Sequence, residues 1–310
     1  EQQVNVIQFV PALLQQFLEV EEVSQCSSLS DVFCGGGELT TALVRSVRER
    51  LPQARLHNVY GPTEATVDST VWTLEAHSPV PEGAPPIGKP LCNTRVYILD
   101  AHQQPVPLGV VGEMYLGGVQ VARGYLNRPE LTAERFLEDP FSDQAGARLY
   151  RTGDVARYLA DGNIQYLGRN DDQVKIRGLR IELGEIQAHL AHVDGVREAA
   201  VLAREDVPGD QRLVAYYSGE SLEIDQLRSQ MLKHLPDYMV PAVFVHLPAL
   251  PLSPNGKLDR QALPAPDQTA LLTREYEAPI GEVETVIAGI WAELLKVERV
   301  GRFDHFFELG

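Results

Sequence analysis

The chain has 310 residues, which at roughly 150 per domain predicts about two domains, each large enough for its own core. With 44% apolar and 23% charged residues it has the composition of an ordinary globular chain. Lys and Arg total 27 against 43 Asp and Glu, and this net charge of -16 argues against nucleic acid as a partner, because a phosphate backbone calls for a basic surface. No run of about 18 apolar residues is present, so no membrane partner is expected either. Cys26, Cys34 and Cys92 are too few and too scattered for a disulfide framework or a thiolate zinc site. A cytoplasmic location is the expectation. The sequence opens at Glu1 ahead of an apolar run and stops at Gly310 just past Phe306-Phe307, which predicts a piece of a longer polypeptide.

In chain order, Val4 to Val10 reads as a buried strand and Ala12 to Val20 as a helix with Leu13, Leu14, Phe17 and Leu18 on one face. A second strand ends near Phe33, a helix runs from Thr40 to Leu51, and Leu56 to Tyr60 makes a third strand. This alternation predicts a parallel α/β sheet. From Ser69 to Tyr166 the pattern changes to short strands, such as Thr94 to Leu99 and Glu113 to Leu116, with Gly and Pro between them. Beyond Asp172 an α+β unit is expected: a helix over Glu182 to His192, strands over Glu198 to Ala203 and Arg212 to Tyr217, a helix over Ile224 to Leu235 and a strand over Ala242 to His246. Leu263 to Pro279, rich in proline, reads as a linker, and Glu282 to Leu295 as a helix with Val283, Val286, Ile287, Ile290 and Leu294 at helical spacing.

Two features look like sites and are better read as structure. Gly35-Gly36-Gly37 stands where a dinucleotide-binding turn would, but the third fingerprint glycine is missing and no acid closes the next strand. His189 and His192 could be half a metal site, but no further His or Cys lies near in sequence to complete it.

Other segments carry chemistry. Asn58-Val59-Tyr60-Gly61-Pro62-Thr63-Glu64 follows the third strand, and ligands of open α/β sheets bind off the carboxyl ends of strands. There an aromatic ring offers a stacking face, an amide reads a base edge, a hydroxyl reaches phosphate and a carboxylate can hold magnesium. Tyr150-Arg151-Thr152-Gly153-Asp154 sets a carboxylate after a tight turn, suited to ribose hydroxyls. Gly168 to Glu182 alternates charged and β-branched residues around Gly178, more charge than a structural strand pair needs. Ser253 to Arg260 puts Lys257 just past an Asn-Gly turn.

Together, Asn58 to Glu64, Gly112 to Leu126, Tyr150 to Asp154, Gly168 to Glu185, Leu235 to Pro241 and Asn255 to Arg260 resemble, in this order, the motifs of the adenylation domain of nonribosomal peptide synthetases, within the adenylate-forming superfamily. The last residues resemble the start of a peptidyl carrier domain and end before the serine that would carry phosphopantetheine. The resemblance implies an α/β and α+β chain: the distal half of the large adenylation domain over 1–171, a small C-terminal subdomain over 172–265, a linker over 266–275 and a truncated carrier domain over 276–310. It implies activation of an amino acid with ATP to an aminoacyl-AMP, then transfer to a carrier-bound thiol. Implied cofactors are ATP/AMP, Mg2+ and phosphopantetheine. Implied partners are the carrier and condensation domains of the same synthetase and a small MbtH-like accessory protein.

By the same resemblance, Asn58 and Tyr60 hold adenine beside Gly61, Thr63 approaches the α-phosphate, and Glu64 coordinates magnesium. Asp154 binds the ribose with help from Arg169, Asp171 is a hinge, Gly178 marks the loop that faces the site during thiol transfer, and Lys257 reaches the acyl-adenylate oxygens. The side-chain pocket falls on Gln8, Phe33, Gly35, Val59, Val67 and Asp68. Gln8 and Asp68 are polar and ask for polar partners when buried, which favours glutamine over glutamate and serine. The family's upstream phosphate loop and the aspartate for the substrate's amino group are not in this sequence, so the chain alone is expected to be inactive in pyrophosphate exchange. The alternatives are an aryl- or acyl-CoA ligase of the same superfamily, and a non-catalytic interaction module.

Overall fold

The computed structural model describes residues 3–176, 178–207, 210–253, 258–266, 277–295, 297 and 299–302. The chain packs as two units, Glu1–Arg180 and Ile181–Gly310. The division falls later than the expected 171/172, because the segment after Asp171 packs into the first unit through Gln173, Lys175 and Arg180.

The first unit opens with β1 (Val6–Phe9), α1 (Pro11–Glu19), β2 (Asp31–Cys34), α2 (Thr41–Arg50) and β3 (Arg55–Tyr60). Pro11 stands in the first turn of α1, where its missing N–H costs nothing. The Thr40 hydroxyl caps α2 by accepting from the Leu43 amide at 3.2 Å. The strands β1, β2 and β3 are parallel neighbours. β4 (Thr70–Leu74) and β5 (Lys89–Pro90) extend the sheet antiparallel. One face packs Val32, Cys34 and Leu56 with Leu14, Val44 and Val47 of the two helices, all fully buried.

A second sheet holds β6 (Thr94–Leu99), β7 (Gly112–Gly118), β8 (Phe136–Glu138), β9 (Arg148–Tyr158) and β10 (Ile164–Arg169), with the short helix α3 (Pro129–Arg135) before β8. Its core of Met114, Leu116, Ala156 and Ile164 also takes in Tyr60 and Ala65, which ties the end of β3 to this sheet. A hairpin of β11 (Gln173–Ile176) and β12 (Leu179–Glu182) follows.

The second unit contains α4 (Leu183–Ala191), β13 (Val196–Val207), β14 (Asp210–Gly219), α5 (Ile224–Met231), β15 (Val243–His246) and α6 (Gly281–Leu295). Its sheet has the order β13-β14-β15, the first pair antiparallel and the second parallel. Ala200, Val214, Tyr216 and Val243 form its core with Leu263. Helix α5 stops short of the expected Leu235, and the chain continues in tighter turns in which the Lys233 and His234 amides donate to the Gln230 and Met231 carbonyls three residues back. Most of the expected linker, Lys257, and the tail after Arg302 lie outside the described residues. Among the described residues, no helix is long and apolar enough to cross a membrane.

Candidate functional site

A cavity of about 160 Å³ opens at the carboxyl end of β3. Gly36, Tyr60, Gly61, Pro62, Thr63, Asp154, Arg169, Gln173, Lys175, Gly178 and Arg180 line it, all within the first unit. The sheet supplies Tyr60, the turn after it supplies Gly61 to Thr63, β9 and β10 supply Asp154 and Arg169, and the β11–β12 hairpin supplies the remaining charges.

Asp154 is the centre of a tight network. One oxygen accepts from the Tyr60 hydroxyl, the other from Arg169 Nη1 at 2.6 Å. Arg169 in turn grips Asp171 through Nε and Nη2, both at 2.7 Å, and donates to the Thr152 carbonyl at 3.0 Å. Burial raises the Asp154 carboxyl, while Arg169 and the Tyr60 hydroxyl pull it back. Tyr60 is raised well above the phenol range by burial and by the neighbouring carboxylate, so it stays a neutral donor. Two hydrogen bonds leave lone pairs on Asp154 for a vicinal diol. The arrangement needs Gly153: its φ is +76°, and a Cβ there would stand 2.4 Å from an Asp171 oxygen.

Lys175 places its ammonium 5.7 Å from the centre of the Tyr60 ring. Burial lowers its pKa, opposed by Asp154. A cation next to an aromatic face and a buried carboxylate is a ready contact for an anionic group.

Glu64 is buried, and both its oxygens are engaged: Oε1 accepts from the Tyr125 hydroxyl at 2.6 Å and Oε2 pairs with Arg180 at 2.7 Å. Burial works to raise its carboxyl, and the Tyr125 hydrogen bond and the Arg180 charge outweigh it, leaving the net shift downward. Magnesium does not fit on Glu64 in this arrangement, because a guanidinium already takes the cation position. Among the described residues no group of three His, Cys, Asp or Glu could hold a metal. The segment between Glu64 and Asp68 is strained: Thr66 and Val67 have φ of 52° and 72°, costly for β-branched residues. It is held by the Thr66 hydroxyl on the Gln120 carbonyl at 2.7 Å and by the Ala122 amide on the Glu64 carbonyl at 2.8 Å.

The structure brings together Tyr60, Gly61, Thr63, Asp154, Arg169 and Gly178 from the sequence reading. Asn58 is not in the cavity wall; its amide donates to the Pro86 carbonyl at 2.8 Å. Asp171 sits behind Arg169 rather than in the wall. Gln8, Phe33, Gly35 and Val59 share the face of the sheet away from α1 and α2. Gln8 and Val67 are exposed, so the expectation of a buried Gln8 in need of a polar partner does not hold for the unliganded chain, and Asp68 is half-buried with its carboxyl raised by desolvation. Sequence reasoning did not assign Gly36, Gln173, Lys175 or Arg180 to the site. Gln173 and Lys175 stand two apart on one strand and so face the same way, the signal that could have found them. His189 stacks on His234 at 5.3 Å instead of joining a metal site.

An aromatic ring, a buried carboxylate and two cations thus converge on one cavity of an α/β unit. The AMP-binding enzyme family matches residues 1–126 and the AMP-binding enzyme C-terminal domain matches 185–257, and the chain belongs to this family of AMP-binding enzymes. Among its relatives, Malpinin synthetase of Mortierella alpina is 50% identical over 97% of this chain and 4% of that protein. Tyrocidine synthase 3 of Brevibacillus parabrevis is 47% identical over 100% of this chain and 5% of its own length. The holo form of PA1221, a nonribosomal peptide synthetase protein containing adenylation and PCP domains, superimposes with a TM-score of 0.73 at 31% identity, covering 98% of this chain and 50% of that one. The chain thus spans only a small part of the two synthetases and half of PA1221.

Proposed function

We propose that the chain is the C-terminal part of an amino-acid-activating adenylation unit of a nonribosomal peptide synthetase. The reaction joins an amino acid to ATP, giving aminoacyl-AMP and pyrophosphate, and then passes the acyl group to the phosphopantetheine thiol of a carrier domain. The observation that carries this is the Tyr60–Asp154–Arg169 network beside Lys175. It offers a ring for a base, a carboxylate for a ribose diol and a cation for a phosphate in one cavity.

The β11–β12 hairpin lines the cavity through Lys175 and Gly178, which suits the thiol-transfer arrangement. In the preceding step Lys257 would take the place near the phosphate. The partners are the carrier and condensation domains of the same synthetase, with an MbtH-like protein as an accessory, in the cytoplasm. Glutamine is the preferred substrate, its side-chain amide donating to Asp68 and accepting from Gln8. The test is pyrophosphate exchange by the full synthetase module across twenty amino acids: strong exchange with glutamine supports the reading, preference for leucine, valine or phenylalanine refutes the polar pocket, and no exchange with any amino acid refutes the adenylation reading. The 310-residue chain alone is expected to bind AMP weakly and to give no exchange, and robust exchange by it would refute its being a partial unit.

A further inference from the structure

His57 belongs to no motif, yet both its ring nitrogens are held on the open face of the first sheet. Parallel register sets Gln8 of β1, Phe33 of β2 and His57 of β3 in one row, and Thr73 of β4 continues it. Side chains in register share a face. His57 is 8% exposed. Its Nε2 meets Asp31 Oδ1 at 2.9 Å and its Nδ1 meets the Thr73 hydroxyl at 2.9 Å. Asp31 is anchored separately, by the Ser30 hydroxyl and by Arg55, both at 2.7 Å. Both ring nitrogens are therefore occupied within the protein, and what His57 presents outward is its flat face. Phe33 covers that face, with ring centres 4.3 Å apart and planes at 18°.

We propose that His57, clamped by Asp31 and Thr73, is a positioning residue that sets the shape of the amino-acid side-chain pocket by fixing the ring of Phe33. The inference rests on the pocket reading of Gln8, Phe33, Gly35 and Val59 given above. The ring of Phe33 is committed to the β3 side of its row, away from Gln8, so the space above Gln8 stays open for a long polar side chain. An aromatic stacked on a rigid plane has one resting place. Without that plane it relaxes into the vacated volume, and the pocket loses its defined wall. Recognition by shape is then weakened, while the adenosine contacts at Tyr60 and Asp154 keep their own supports.

The experiment compares His57→Ala, Phe33→Ala and the double variant in the full synthetase module, measuring exchange for the preferred amino acid and for bulkier ones. His57→Ala is expected to lower the kcat/KM ratio of preferred to bulkier side chains by roughly tenfold, the range open to pocket-shape changes. The effect should fall on KM for the amino acid and leave KM for ATP unchanged. The double variant should be no worse than Phe33→Ala, since the two act as one unit. Should His57→Ala not fold, Thr73→Val removes only the hydroxyl clamp and is expected to shift the ratio in the same direction. An unchanged ratio in the variant measured, additive losses, or a rise in both KM values would overturn the inference alone. An unmutated module that activates no amino acid overturns the adenylation reading with it.

Discussion

The two faces of the first sheet are built by opposite rules. Toward α1 and α2 the strands present Val32, Cys34 and Leu56, fully buried against leucines and valines. Away from the helices, the same strands present Gln8, Asp31, Phe33 and His57, where Asp31 and His57 satisfy one another and Val6 and Gln8 are exposed. The first face holds the sheet together by area removed from water. The second holds chemical groups in place by direction, through hydrogen bonds that a one-residue shift in register would destroy.

The largest effect that sharpens this contrast is on the apolar face. Leu56→Ala should cost about 2–5 kcal/mol, because it leaves a cavity under two packed helices. A denaturant midpoint measured for this variant should fall far more than for Phe33→Ala, whose half-buried ring leaves little void. Equal losses would show that both faces are packed alike.

The next effect is on ligand binding. Asp154→Ala removes the acceptor for both Tyr60 and Arg169 and should weaken AMP binding by roughly tenfold to a hundredfold, the range for a charged hydrogen-bond partner. Titration calorimetry with AMP checks it, and unchanged affinity would remove Asp154 from the nucleotide site. Gly153→Ala should cost about 1–3 kcal/mol in stability, since φ of +76° and the close Asp171 oxygen both oppose a side chain.

The helix-facing pattern was the legible part of the sequence. Apolar runs punctuated by Gly36, Thr40 and Gly61 marked β1 to β3 and both helices to within a residue or two. Strand β13 ran on past the expected Ala203 because Arg204 to Asp206 are charged, and charges are tolerated on an edge strand. In the site, Tyr60, Asp154 and Arg169 were legible because each lies in a local motif. Arg180 on Glu64 was not, since that pairing joins residues 116 apart in sequence. His57 was hidden for the same reason: its partners Asp31 and Thr73 come from two other strands, and only register shows that they meet.

A smaller effect depends on pH. The His57 hydrogen bond holds the Asp31 carboxyl down to about 2 from an ordinary 3.8, against an opposing desolvation. Folding therefore favours the ionised form, and the stabilisation is present above about pH 3.8 and lost as pH falls toward 2. Unfolding midpoints at neutral pH and near pH 3 should differ less for Asp31→Asn than for the unmodified chain. An identical pH dependence would mean that the pair contributes no linkage.

The smallest expected stability effect is also the sharpest test of what the open face is for. Gln8 is exposed and stands in the row that ends at His57. Gln8→Leu keeps most of the side-chain volume and should change stability by less than about 0.5 kcal/mol, as exposed substitutions do. If the face served only the fold, nothing else would change. If it receives a substrate side chain, the leucine removes the donor for an amide carbonyl and strands that carbonyl in the pocket. Exchange with glutamine by the full synthetase module should then fall by roughly tenfold, the lower range for one lost hydrogen bond to a substrate. Exchange with an aliphatic amino acid should hold or rise. Stability and exchange both unchanged would take Gln8 out of the pocket, and with it the argument for glutamine, while leaving the Tyr60 and Asp154 site untouched.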